Sequence, residues 1–95
     1  MTNKEIAKRF AEGARTGKNA NGSLFIEGDT IYSYGYHFPL ARRDEKTMTA
    51  IRNARKYSVT TSKHSGLIGA NLAYAGYTVT DEVIDGKGAP SRLNV

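Results

Sequence analysis

The chain has 95 residues, 39% of them hydrophobic, with no cysteine and a formal net charge of +5. That length supports one domain with one modest core and not two. The missing cysteine excludes disulfides and thiolate metal centres, and no apolar run approaches the ~20 residues that a bilayer-spanning helix needs.

Met1-Thr2-Asn3-Lys4-Glu5 reads as a helix start and not as a signal peptide with an apolar middle, so the protein is expected in the cytoplasm. Residues 2 to 14 are predicted as an amphipathic helix. Thr2 and Glu5 have capping-box spacing, and Ile6, Ala7, Phe10, Ala11 and Ala14 recur on one face. Gly13 or Gly17 ends it. Residues 16 to 22 read as a polar, turn-rich loop.

Residues 23 to 34 carry the clearest signal, a hairpin. Leu24 to Glu27 and Thr30 to Tyr34 are its strands, joined by Gly28-Asp29 in a type II′ turn. That register pairs Ile26 with Ile31 and Phe25 with Tyr32. It gives one aliphatic face (Leu24, Ile26, Ile31) and one aromatic face (Phe25, Tyr32, Tyr34). Gly35 to Arg43 is a third strand, broken or at a sheet edge because of Pro39. Phe38 and Leu40 are expected to point one way, His37 and Ala41 the other. Asp44-Glu45-Lys46 is a charged turn. Thr47 to Ile51 and Arg55 to Val59 read as a second hairpin around Asn53-Ala54; a helix over 46 to 56 competes, because Ala50, Ile51 and Ala54 also fit helical spacing.

Thr61 or Ser62 then caps a second helix that runs to Ala75, with Leu67, Ile68, Leu72 and Ala75 as its apolar stripe and Gly76 closing it. Tyr77 to Val79 is a last strand. From Asp81 onward Gly86, Gly88 and Pro90 suggest a fraying tail. The expected fold is therefore α+β: an antiparallel sheet of four to five strands with two helices packed on one face, in the order α-β-β-β-(β-β)-α-β. Residues 1–80 form one domain and residues 81–95 a flexible tail in this reading.

The charge is concentrated. Arg42, Arg43, Lys46, Arg52, Arg55, Lys56 and Lys63 face only Asp44 and Glu45 over that stretch, so it holds the whole +5 excess. Such a segment attracts nucleic acid or an acidic protein surface. It leads into Thr60-Thr61-Ser62-Lys63-His64, where a helix start offers unpaired N–H groups and the positive end of its dipole to an anion. The candidate anion or nucleic-acid contacts are Arg42, Arg43, Arg52, Arg55, Lys56, Thr60, Thr61, Ser62, Lys63 and His64. Tyr32, Tyr34, Tyr36, His37 and Phe38 form a dense aromatic run, the kind on which single-stranded nucleic acid stacks. His37 and His64 are the only histidines, and as an acid–base pair they would suit ribonuclease chemistry. Two histidines without cysteine or metal-ligand spacing indicate no metal site, and the absence of a phosphate-cradling glycine motif indicates no nucleotide cofactor.

The stretch from Phe25 to Arg43 (FIEGDTIYSYGYHFPLARR) and Tyr57 to His64 (YSVTTSKH) resemble the signature motifs of a family of small uncharacterised phage and prokaryotic accessory domains. The likeness implies a phage-type setting and no particular chemistry. The element order also resembles the double-stranded RNA-binding fold, in which a basic helix start meets phosphates. The leading expectation is a small basic protein that binds nucleic acid or another anionic ligand without catalysis. The alternatives are an anti-CRISPR-like inhibitor of a host defence system that binds a nucleic-acid-binding host protein, and a histidine-dependent ribonuclease. No membrane partner is expected, and a homodimer would extend a marginal core.

Overall fold

The structure, a computed structural model, describes residues 2–20, 22–34, 38–54 and 59–84, without the side chains of residues 59–61. Its elements are α1 (Asn3–Ala11), β1 (Thr16–Lys18), β2 (Leu24–Glu27), β3 (Thr30–Ser33), β4 (Pro39–Asp44), β5 (Thr49–Asn53), α2 (Val59–Tyr74) and β6 (Thr78–Glu82). The fold is α+β in the expected order, with two helices and a six-stranded sheet.

α1 opens with the capping box read from the sequence. The Thr2 hydroxyl accepts from the Glu5 N–H at 3.2 Å, and the Glu5 carboxylate accepts from the Thr2 N–H at 3.0 Å. The helix stops at Ala11, sooner than expected, because Gly13 turns the chain at φ 100°. Residues 16–18 form a strand and not a loop. Gly17 lies near Ile6 of α1 and takes φ 149°, a conformation that glycine adopts without strain.

β1 to β5 run as an antiparallel meander, each strand beside the next. The β2–β3 register pairs Phe25 with Tyr32 and Ile26 with Ile31 as expected, and Gly28 takes the positive φ of the turn at 66°. Pro39 is the first residue of β4, an interior strand and not the expected edge strand, and so removes no ladder bond midway; residues 35–37 of the expected strand lie outside the described residues. A bulge between β3 and β4 places Leu40 outside the regular pairing, and both Leu40 and Ala41 are buried in the core. The second hairpin is shifted. The charged turn expected at Asp44-Glu45-Lys46 is present, as residues 45–48 with Met48 at φ 54°, and it is the turn of this hairpin, while Asn53 ends β5 instead of turning it. Residues 55–58, expected as its returning strand, lie outside the described residues, and Val59 already belongs to α2.

The sheet is mixed and not wholly antiparallel. α2 carries the chain back along the sheet, so β6 starts from the same end as β5 and pairs parallel to it. It extends to Glu82, and Ile84 beyond it is buried, so residues 81–84 belong to the domain and not to a tail. α1 packs on β1 and β2, α2 on β4, β5 and β6, and the helices touch each other on one face of the sheet. Ile6, Phe10, Leu24, Ile31, Leu40, Ile68 and Leu72 fill the layer between.

Candidate nucleic-acid interface

Both helices start at the same end of the molecule, where β3 ends. Asn3, in the first turn of α1, meets His64 of α2, and His64 meets Ser33, the last residue of β3. His64 falls on the stripe of Ile68 and Leu72 at successive fourth residues, which turns it inward. It is only 4% exposed.

A directed hydrogen-bond chain fixes this end. The Leu24 N–H can only donate, and it donates to Asn19 Oδ1 at 3.2 Å. Asn19 Nδ2 therefore donates, to Asn3 Oδ1 at 2.7 Å and to Ser23 Oγ at 3.0 Å. Asn3 Nδ2 in turn faces His64 Nε2 at 3.2 Å, which makes that nitrogen the acceptor. The imidazole proton then sits on Nδ1, 3.2 Å from Ser33 Oγ. His64 is thus held neutral, and burial pushes its pKa below the ordinary imidazole value.

Just outside this chain stands Tyr34. It has left the strand at φ 57°, its N–H bonds to the Ser23 carbonyl at 2.8 Å, and its ring lies over His64 with centroids 6.3 Å apart. It is 64% exposed. A non-glycine residue in the left-handed region carries a conformational cost and is common at sites of function. Lys63 and Lys4, next to the contacting pair His64 and Asn3, are exposed, as is Ser62. Glu5 is engaged at the α1 cap, and residues 46–80 contain no acid at all. An exposed ring can stack a base, and exposed lysines at the same end of the molecule can neutralise phosphates.

The expected convergence of the basic segment on the α2 start is not present among the described residues. Arg42 and Arg43 are neighbours on a strand and face opposite sides of the sheet. Arg42 sits with Thr30, its Nε donating to Thr30 Oγ1 at 3.2 Å. Arg43 is buried, its guanidinium 4.6 Å above the Phe10 ring, and is not free for a ligand there. Arg52 makes two bonds to Asp81, at 2.9 and 3.1 Å, and crosses α2 at Gly69. Thr61 and Ser62 do not cap α2, because the helix begins at Val59, and Thr60 to Ser62 lie within its first turns. His64 is interior rather than a surface ligand. Of the aromatic run, Tyr32 and Phe38 are buried, Tyr32 stacking on Phe25 at 5.2 Å. Tyr36, His37, Arg55 and Lys56 lie outside the described residues.

The sequence reading missed Asn3, Asn19 and Ser33, for which spacing offers no signal because the partners are distant in the chain. Among the described residues no group of three metal-ligating side chains comes together, and no helix is long and apolar enough to cross a membrane. No protein-family model, no curated protein and no solved structure matches the chain.

Proposed function

We propose that this protein is a small basic accessory domain that binds single-stranded nucleic acid without catalysis, through the end of the molecule where α1 and α2 start. The observation that carries this reading is Tyr34, exposed, held in a left-handed conformation and backed by His64; the exposed Lys4 and Lys63 are the chain neighbours of Asn3 and His64 at the same end. Tyr34 supplies the stacking surface, and the lysines the phosphate contacts. The interior position of His64, with both ring nitrogens engaged, supports a binding role over acid–base cleavage.

Fluorescence anisotropy of a labelled single-stranded oligonucleotide tests it. Affinity falls steeply between about 50 and 200 mM salt, as counterion release requires. Tyr34→Ala weakens binding by the equivalent of about 1–3 kcal/mol, and Lys63→Ala lowers the salt slope by about one. No salt-dependent association with any RNA or DNA strand removes the reading.

A second reading, an inhibitor of host defence that works by binding a protein, draws on the opposite end. Tyr74 is 95% exposed and Met48 40%, with the Met48 side chain lying beside Gly76. Aromatic and methionine side chains suit interface cores. Capture of one host protein by the native chain and its loss with Tyr74→Ala favours this reading, and capture of none removes it.

A further inference from the structure

At the far end of β3, opposite Tyr34, Arg43 poses a separate question. Its side chain is wholly buried. Nη2 donates to the Gly13 carbonyl at 3.0 Å and to the Gly28 carbonyl at 3.3 Å. Nε and Nη1 are buried and have no hydrogen-bond acceptor. Unsatisfied donors on a buried cation are costly, and native proteins rarely leave them. The nearest counter-charge is Glu45 in the β4–β5 turn, with Oε1 3.5 Å from Arg43 Nε but not aligned for a bond, and 3.7 Å from Arg15 Nη1. That carboxylate is about half exposed. Arg15, Arg43 and Glu45 line one groove of about 580 Å³ together with Arg42 and Lys46, while Asp29 and Asp44 oppose them.

We propose that this groove is a binding site for a phosphate group, free or as a monoester, and that Glu45 is the internal carboxylate standing in for it. A phosphate oxygen that displaces Glu45 takes the Nε–H that Glu45 fails to bond, and the charge of Arg15 and Lys46 balances the rest. Displacement is inexpensive, because Glu45 sits on a surface turn and its two ion pairs are loose. With Glu45 moved aside, Arg15, Arg43 and Lys46 supply the positive charge that a phosphate meets in the groove. The site is independent of Tyr34 and Lys63, so it stands or falls apart from the nucleic-acid reading.

The test follows the Arg43 Nε–H signal by ¹⁵N NMR in the full chain. Inorganic phosphate moves that signal and chloride at matched ionic strength does not. Glu45→Gln, which keeps the side chain's size and removes its charge, tightens phosphate binding about tenfold, or about 1.4 kcal/mol. Lys46→Ala weakens it. Tighter binding of a nucleoside 5′-monophosphate than of inorganic phosphate assigns the site to an ester, and the reverse order to the free ion. The proposal is overturned if phosphate leaves the signal unmoved in both the native chain and Glu45→Gln. It is equally overturned if Glu45→Gln binds phosphate no tighter, for Glu45 is then a structural counter-ion only.

Discussion

His64 shows how one side chain can be assigned from its neighbours. The Leu24 N–H fixes Asn19, Asn19 fixes Asn3, and Asn3 makes His64 Nε2 an acceptor. A second ring proton would set two donors face to face, so the folded state resists protonation, in line with the lowered pKa. In the unfolded chain the ring titrates at about 6.5. Below that value the unfolded state binds more protons than the folded one, so stability falls as pH drops, until the folded pKa is passed. Glu5, whose carboxyl is held below its ordinary value by hydrogen bonds from Thr2, adds its loss only at lower pH, as pH falls through the carboxylate range. Urea unfolding at about pH 7.5 and pH 5.5 should show the lower midpoint at the lower pH. His64→Gln should flatten that difference, and an equally large difference in the variant would show that another group is responsible. Part of this was legible beforehand. The spacing His64, Ile68, Leu72 carries the signal that turns the imidazole toward the core, although the reading of the helix start makes His64 a surface ligand. Strand alternation puts the neighbours Arg42 and Arg43 on opposite faces of the sheet, against their grouping as contacts of one site. The left-handed turn at Tyr34 was not legible, because tyrosine is not a residue that signals it.

Between elements, α2 contains two interior glycines with opposite surroundings. At Gly66 an added Cβ meets nothing within 4 Å. At Gly69 it would come within 2.7 Å of Arg52 Nη1 and 3.3 Å of Arg52 Cδ, on a side chain tied to Asp81 by two hydrogen bonds. Gly66→Ala should therefore raise stability by about 0.5–1 kcal/mol through helix propensity alone. Gly69→Ala should gain less or lose, because the Arg52 side chain must shift while Asp81 holds it. Arg52→Ala is the control: in that background Gly69→Ala should recover the propensity gain, as a double-mutant cycle read by denaturant midpoint would show. Equal gains at both glycines in the native background would mean that the Arg52–Asp81 pair contributes nothing. Elements set by local chemistry were the readable ones. The capping box of α1 and the Gly28-Asp29 hairpin stand as their residues imply. β1 was not readable, because Thr-Gly-Lys is too short and polar to announce a strand; the β4–β5 turn was readable from the charged Asp44-Glu45-Lys46, though not its extension to Met48 at φ 54°.

Across the whole molecule, the sheet is closed by the chain segment after β6. Asn53 ends β5, and its side-chain Nδ2 donates to the Pro39 carbonyl at 2.7 Å and the Ile84 carbonyl at 2.9 Å, while its Oδ1 accepts from the Ile84 N–H at 3.1 Å. One amide therefore joins the start of β4, the end of β5 and the segment after β6, and the last of these carries the buried Ile84 side chain. A chain ended at Thr80 loses Asp81, and with it the partner of Arg52, the last two of the five β5–β6 pairs, and the Ile84 contact. Burial of one isoleucine contributes about 1.5–3 kcal/mol, and each lost buried hydrogen bond about 1 kcal/mol more. For a domain of this size that is a large share of the ~5–15 kcal/mol that holds a fold together. Asn53→Ala isolates the amide: it leaves the Pro39 carbonyl and the Ile84 N–H and carbonyl without this partner, at about 1–3 kcal/mol for each group that water cannot reach. Both changes should lower the urea midpoint, the truncation more than the substitution. A chain ended at Thr80 that unfolds at the native midpoint would place the boundary of the domain where the glycine-rich sequence first put it, and would remove residues 81–84 from the account of its stability.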